Sequence, residues 1–295
     1  MKEHIPVMVE EAIEYLNLKP RQKIIDATCG LSGHDKEILK KIGARGKLLA
    51  IDQDIESLKQ AKKNLHEFEN VIYVNDNFKN LKQIAQDNTF NNADGILYDL
   101  GVASWHFENS GRGFSFSKDE PLDMRLFQNQ NIKIIEQKYV NNLTAYEIIN
   151  NYSLKDLSFI LYKYGDIRKS QMIAQRIIDA RKNKKISTTF DLVSALQIKN
   201  PKVLAPIFQA FRIKVNDEYN SLEQSLKNAL EVLKSSGRIV VISFHSGEDR
   251  IVKNFFRNNK NQIKVINKKP ILAKQEEVKN NSKSRSAKLR AGEKY

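Results

Sequence analysis

Short apolar runs alternating with helix-length amphipathic segments are what most restrict the folds open to this chain. KIIDAT is followed by GHDKEILKKIG, KLLAID by DIESLKQAKKNLHEF and VIYVN by FKNLKQIAQ, and a fourth run, GILYDLG, follows these. Strands alternating with helices of this size predict βαβ units and a mostly parallel sheet covered on both faces, an α/β Rossmann-like open sheet. Near the other end, VNDEYNSLEQSLKNALEVLK has helical spacing, SGR breaks it, RIVVISF reads as a buried strand, EDRIVKNFF as a helix and QIKVIN as a last strand. The sheet therefore resumes after an interruption. Between the two parts there is no comparable strand, only helix starts such as the capping pattern TAYE from Thr144 to Glu147 and the Thr188/Thr189 pair before FDLVSAL. The organisation expected is a core of residues 1–138 and 213–295 interrupted by a helical subdomain, 139–212. The last stretch, KNNSKSRSAKLRAGEKY, has many cations and almost no apolar residues. Such an end is expected to fray; the alternative is an arm that orders on RNA or against the cofactor domain.

Of the 295 residues 41% are hydrophobic, enough for a globular core, and 49 Lys+Arg against 35 Asp+Glu leave a formal charge of +14. That excess favours a polyanionic partner, although a composition rich in Asn and Lys raises such counts without function. The single cysteine, Cys29, excludes an internal disulfide framework and a Cys-rich zinc site. No apolar run approaches the length of a bilayer span, and the first residues, MKEHIPVMVEEAIEYL, are amphipathic and acidic, unlike a signal peptide. A soluble, cytoplasmic protein with no membrane partner is expected.

Four strand ends carry chemistry. In DATCGLSGHD a strand turns into a helix through Gly30, Ser32, Gly33 and His34; glycines there admit close backbone approach, and the helix start offers free N–H groups to a polar or anionic ligand. A tight packing turn would read the same way, and the spacing a pyrophosphate needs, GxGxxG, is missing. In AIDQD, Asp52 ends the next strand 22 positions beyond Gly30, where an acid can accept both hydroxyls of a ribose; Asp54 reads as the N-cap of the helix that follows. Phe78 in VNDNF follows the third strand, either as core or as a surface for a purine, and Asp99 ends the fourth. Glycine turn, ribose acid, apolar contact and active-site acid, in that order along neighbouring strands, form the layout of an S-adenosylmethionine-dependent methyltransferase.

The strings HIPVM-x-x-E, DATCGLSGH, AIDQD, DGILYDLGVAS, RGFSF, PLDMR, FQAFRIKVNDE, GRIVVISFHSGEDRIVK and SRSAKLR run in order from His4 to Arg290. They resemble the bacterial small-subunit ribosomal RNA methyltransferase H family (RsmH, once MraW) over essentially the whole chain. The resemblance implies a class I methyltransferase sheet with an inserted helical subdomain and S-adenosyl-L-methionine as cofactor. It implies methylation of the exocyclic N4 of one cytidine in the decoding region of small-subunit (16S) ribosomal RNA, presented as naked RNA or in the assembled small ribosomal subunit; a homodimer is left open. The cofactor contacts it carries over are Gly30, Ser32, Gly33, His34, Asp52, Phe78, Asp99 and His106. Two of these depart from the family pattern: Ser32 stands where G-x-G-G-H has glycine, and His106 lies in ASWHFE where S-S-P-Q-L-D is usual. Ser32 keeps a backbone contact without strain only at negative φ. Further departures are Gly247 where Leu is usual, Phe127 where Asp is usual, and NSKSRSAKLR in place of an NPR start.

The exocyclic amine of cytosine is a poor nucleophile, so its nitrogen must be aligned with the sulfonium methyl and must lose a proton. Asp99 suits that work, and an acid there also suits the methionine ammonium. In the loop beyond it, Trp105, His106, Phe107, Phe114 and Phe116 can wall the cofactor and stack a base, or simply cap the core. Arg112, between two glycines, suits a phosphate or the fixing of the loop; Asp123 and Arg125 of PLDMR suit the target pocket or each other. In SFHSGEDR, His245 and Ser246 reach the same sheet edge as target contacts, whereas Ser246 can alternatively cap the helix through the amide of Asp249. No GxSxG elbow accompanies them, so a hydrolase triad is disfavoured. Methyl transfer from a sulfonium needs no metal, and none is expected. The alternatives are a noncatalytic RNA-binding or assembly factor on the same fold, and a DNA amino methyltransferase, whose S/D-P-P-Y/W signature is absent at Asp99-Leu100-Gly101-Val102.

Overall fold

The computed structural model describes residues 6–127 and 143–295; His4 lies outside them. Contacts divide the chain into two units, one of Met1–Val102 with Tyr219–Tyr295 and one of Ala103–Glu218.

In the first unit α1 (Val9–Leu16) precedes β1 (Lys23–Asp26), α2 (Gly33–Ile42), β2 (Lys47–Asp52), α3 (Ile55–Asn64), β3 (Val71–Asn75), α4 (Leu81–Asp87) and β4 (Ala93–Asp99). The chain returns from the second unit into α11 (Glu218–Val232), β5 (Leu233–Ser243), α12 (Ser246–Asn258), β6 (Ile263–Val265), β7 (Ile271–Leu272), α13 (Gln275–Asn280) and β8 (Lys288–Lys294). The sheet order is β3-β2-β1-β4-β5-β8-β6, with β7 also on β8. Strands β1 to β5 are parallel and β8 is antiparallel to β5, β6 and β7. This is the class I methyltransferase sheet. Successive residues of a strand face opposite sides, and both sides are covered. Ile25, Leu49, Ile51, Ile96, Tyr98, Ile239 and Val241 pack with α4, α11 and α12, while Ile24, Leu48, Leu97, Val240 and Ile242 pack with α1 and α2. Strands buried on both faces read as unbroken apolar runs, which is why the sequence displays them. Strand order reverses between β1 and β4, so a crevice opens at their carboxyl ends, where open α/β sheets bind ligands.

Two expectations for the C-terminal part are corrected. The end of the chain is not a frayed tail: β8 lies between β5 and β6, with Leu289 and Ala291 fully buried. Its alternation puts those two on the apolar face and Arg290 on the other, where the guanidinium meets Asp249 (Nε to Oδ1, 2.6 Å). QIKVIN is consequently the edge strand β6, not the last strand. The SGR break lies inside β5: pairing jumps from Ala93↔Leu233 to Gly95↔Arg238, and Ser236 takes φ 65° to bulge the strand out.

The second unit begins with α5 (Ser104–Asn109) and continues in α6 (Ala145–Asn151), α7 (Leu154–Gly165), α8 (Ser170–Asn183), α9 (Thr189–Leu196) and α10 (Pro201–Asn216). Thr144 with Glu147 and Thr188 with Asp191 form the expected capping boxes. The division at Ala103 falls well before residue 139, which itself lies outside the described residues. Backbone bonds explain the earlier boundary: the amides of Glu120, Leu122 and Leu126 donate to Thr189 Oγ1 (3.1 Å), the Ser187 carbonyl (3.1 Å) and Asn216 Oδ1 (2.8 Å). These tie the segment after Ala103 to the helices. Among the described residues no helix is long and apolar enough to cross a membrane.

Candidate active site

The turn between β1 and α2 holds Gly30 at φ 50° and Ser32 at φ 66°. A side chain at Gly33 would lie 2.7 Å from the Pro6 ring, so glycine is required there for space. Ser32 is the strained case: it is 2% exposed, left-handed, and its Oγ meets no hydrogen-bond partner. Ser32→Gly is therefore expected to stabilise the protein by about 1 kcal/mol, the left-handed cost for a residue with a Cβ, read as a higher urea midpoint with unchanged slope.

Around this turn lie four carboxyls, Asp26 and Asp52 at strand ends and Asp35 and Asp54 at the starts of α2 and α3. Asp52 Oδ2 accepts the Gly30 N–H (2.9 Å) and Oδ1 the Asp54 N–H (2.8 Å), joining the tip of β2 to the glycine turn. Asp54 caps α3 by accepting the Glu56 amide. Asp26 accepts the Thr28 amide (2.9 Å) and lies beside Asp35 in the first turn of α2. Asp35 is fully buried. Two buried acids in that position require a proton between them. Burial pushes Asp26 up to about 6, and burial followed by the Asp26 charge pushes Asp35 well above the carboxylate range.

Because the folded protein holds protons on this pair that the unfolded chain releases near pH 4, stability is expected to fall as pH rises from about 4 through 6. Asp35→Asn should flatten that fall in urea midpoints measured without cofactor. Asp52 is also raised, to about 7, by burial, but it keeps part of its surface open and contributes less.

Asp99 ends β4. Its amide donates to Thr28 Oγ1 (2.7 Å), and its Oδ2 lies 3.6 Å from His34 Nδ1. The other nitrogen of His34, Nε2, lies 2.9 Å from the Val7 carbonyl, which can only accept, so it carries hydrogen. Asp99 Oδ1 is buried and meets no donor. Burial, then the charges of Asp26 and Glu248, hold the Asp99 carboxyl well above its usual range. Phe78, in the one-turn 3-10 helix Phe78–Asn80, packs edge-on against Tyr98 at 6.0 Å. The four sequence-predicted tips, Gly30 to Gly33, Asp52, Phe78 and Asp99, thus lie at the carboxyl ends of β1 to β4. The set is rich in carboxyl oxygens, of which Asp99 Oδ1 is buried without a donor. S-adenosylmethionine, with an ammonium and a sulfonium, fits it; a pyrophosphate would meet like charge.

The tip of β5 lies next to that of β4, the Leu100 amide donating to the Ile242 carbonyl (2.9 Å). Here the capping expectation is corrected: the N-cap of α12 is His245, not Ser246. His245 Nδ1 accepts the Glu248 amide (3.4 Å), while Glu248 Oε2 accepts the amides of Phe244 (2.8 Å) and His245 (3.4 Å). The reciprocal box is available because Glu248 stands three residues on. Ser246 is left exposed at the first helical position.

In the second unit, Arg112 is 7% exposed. Its Nη1 donates to the carbonyls of Arg125 and Leu126 (both 3.1 Å), and its guanidinium lies over the Trp105 and Phe114 rings. These contacts fix the loop. Asp123 and Arg125 pair bidentately with each other (2.7 and 2.8 Å). His106 is buried, stacked on Trp105 and with Nδ1 3.2 Å from the Ala103 carbonyl. Phe114 is buried and Phe116 packs on Phe208, so both serve the interior of the unit. Among the described residues no group of three His, Cys, Asp or Glu is placed to hold a metal ion.

The model of the MraW methylase family matches residues 1–295. The chain belongs to that family. Curated relatives named ribosomal RNA small subunit methyltransferase H agree over nearly their full length. That of Dictyoglomus thermophilum is 42% identical (98% of this chain, 96% of the relative), and that of Finegoldia magna is 39% identical (99% and 98%). A solved structure from Clostridium thermocellum, titled a putative rRNA-methylase, overlays with TM-score 0.48 at 13% identity, covering 99% of this chain and 100% of that one; a likeness that low bears on nothing further. Sequence reading of this family member missed Asp26 and Asp35, although both stand inside the quoted glycine-turn string. The available signal was an acid ending a strand and a second opening the next helix.

Proposed function

We propose that this protein transfers the methyl group of S-adenosylmethionine to the exocyclic N4 of one cytidine in small-subunit ribosomal RNA. The observation that carries the reading is the unpaired, buried Asp99 Oδ1 at the crevice of a class I methyltransferase sheet; family membership and the names of the relatives support the substrate class. When bound, the cofactor supplies an electrophilic methyl on a positively charged sulfur that departs as a neutral thioether. The chain's own groups do the rest. The turn at Ser32, Gly33 and His34 and the Asp52 carboxylate hold the nucleoside, with Phe78 beside the base. Asp99 accepts a hydrogen of the attacking amine and takes the proton that leaves as the nitrogen–carbon bond forms, while His245 and Ser246 contact the target pyrimidine. The helical segment, with Trp105, Asp123 and Arg125, is assigned to the RNA, Arg112 to the fixing of its own loop, and His106 to the cofactor by family resemblance. Such a substrate implies a cytoplasmic enzyme; sedimentation of the purified protein tests for a homodimer.

The test is incubation of unmodified small ribosomal subunits and naked small-subunit RNA with the protein and methyl-labelled cofactor, followed by nucleoside mass analysis and mapping. One N4-methylated cytidine is expected. A label on another base redirects the substrate, and cofactor binding without transfer to either RNA favours the noncatalytic reading.

A further inference from the structure

We propose that Tyr219 is a positioning residue of the target-base site, its phenol filling the side-chain space left by Gly247 and thereby holding the His245 imidazole. The inference rests on the assignment of His245 to the target pyrimidine made above. The backbone of Gly247 is not in the left-handed region, so glycine is not required there for its torsion. Space is the reason. A Cβ built on Gly247 would lie 1.7 Å from Tyr219 Oη and 2.6 Å from Cζ, and 3.3 Å from His245 Nδ1. No side chain fits at 247 while the phenol is present. The two rings face each other at 5.9 Å between centroids and 33° between planes.

The imidazole needs this support because its polar contacts are weak. The Glu248 amide reaches Nδ1 only at 3.4 Å. Nε2 lies 3.1 Å from Glu248 Oε1 yet is not aligned for a hydrogen bond. The contact with Glu248 Oε1 does not set the plane of the ring; a packed neighbour does. Tyr219 can be that neighbour because it is the second residue of α11, whose Leu222, Leu226 and Ala229 are anchored in the core. The ring is therefore carried on a rigid element rather than a loop, which is what a first contact to substrate requires of its support. Tyr219 and Gly247 act as a pair: the bulk lost at one position is supplied from the other.

A double-mutant cycle in the full-length protein tests this, with small ribosomal subunits as substrate and cofactor affinity measured separately by calorimetry. Gly247→Leu and Tyr219→Leu are each expected to lower kcat/KM for RNA about 10- to 100-fold, as a misplaced contact does, with cofactor affinity held within about twofold. The double variant G247L/Y219L should return to within about threefold of the parent. Additive losses in the cycle, or a Tyr219→Leu variant with parental RNA kinetics, overturn the proposal. So does a parallel fall in cofactor affinity, which marks a general collapse. Imidazole NMR shifts of His245, recorded without substrate, provide a readout that survives failure of the cytidine assignment. Movement in Tyr219→Leu and restoration in the double variant support positioning, and an unmoved resonance refutes it.

Discussion

Asp99→Asn is expected to slow methyl transfer by about 10²- to 10⁴-fold, the usual contribution of a positioned proton acceptor, while leaving the protein folded. The amide keeps the shape of the carboxyl and can still accept a hydrogen bond, but it cannot take the proton that the amine loses. The burial that raises Asp99, reinforced by Asp26 and Glu248, is relieved by the change, so the urea midpoint should rise or hold. The alternative role, gripping the methionine ammonium, has a different kinetic mark: the loss would fall on cofactor affinity and spare kcat at saturation. Steady-state constants for both substrates, with calorimetric cofactor affinity, separate the two. A variant with parental kcat would remove Asp99 from the proton transfer.

The largest effect on stability is expected at Arg290. Its Nε and Nη2 meet the two oxygens of Asp249 at 2.6 and 3.3 Å, and the side chains are 8% and 14% exposed. Truncation to alanine leaves a mostly buried carboxylate whose remaining cation among the described residues is Lys288, at 3.7 Å, a loss of about 3–5 kcal/mol for a broken buried pair. Replacing both partners is a different experiment. In Arg290→Met with Asp249→Asn no charge is stranded, and much of the loss should be recovered. Urea unfolding of the single and double variants measures this; a single variant within about 1 kcal/mol of the parent would mean that water already reaches the pair. The pair also joins two motifs that lie far apart in sequence, fastening β8 to the first turn of α12, next to His245.

How far each feature was legible depended on the range of the interactions behind it. The strands β1, β2, β4 and β5 announced themselves because burial on both faces demands unbroken apolar residues, and the caps at Asp54, Thr144 and Thr188 were readable because a cap is a bond between residues two or three apart. For the same reason the order of strand tips, and with it Gly30, Asp52, Phe78 and Asp99, followed from parallel topology alone. The cap of α12 was misread within that local range: Ser246 was the expected cap, and the backbone geometry puts His245 there instead. Strand β8 was illegible because KLRAGEK buries just one apolar face, and its arginine is acceptable there only because Asp249 waits across the sheet.

By itself, then, the sequence determined the α/β class, the parallel half of the sheet and the acids at its edge, since these depend on periodicity and on neighbours along the chain. The tertiary structure alone decided that Asp26 and Asp35 are buried side by side, that Tyr219 occupies the space of Gly247 and that the cationic C-terminus is a sheet strand. Each of these depends on excluded volume or charge between segments whose proximity no local pattern records.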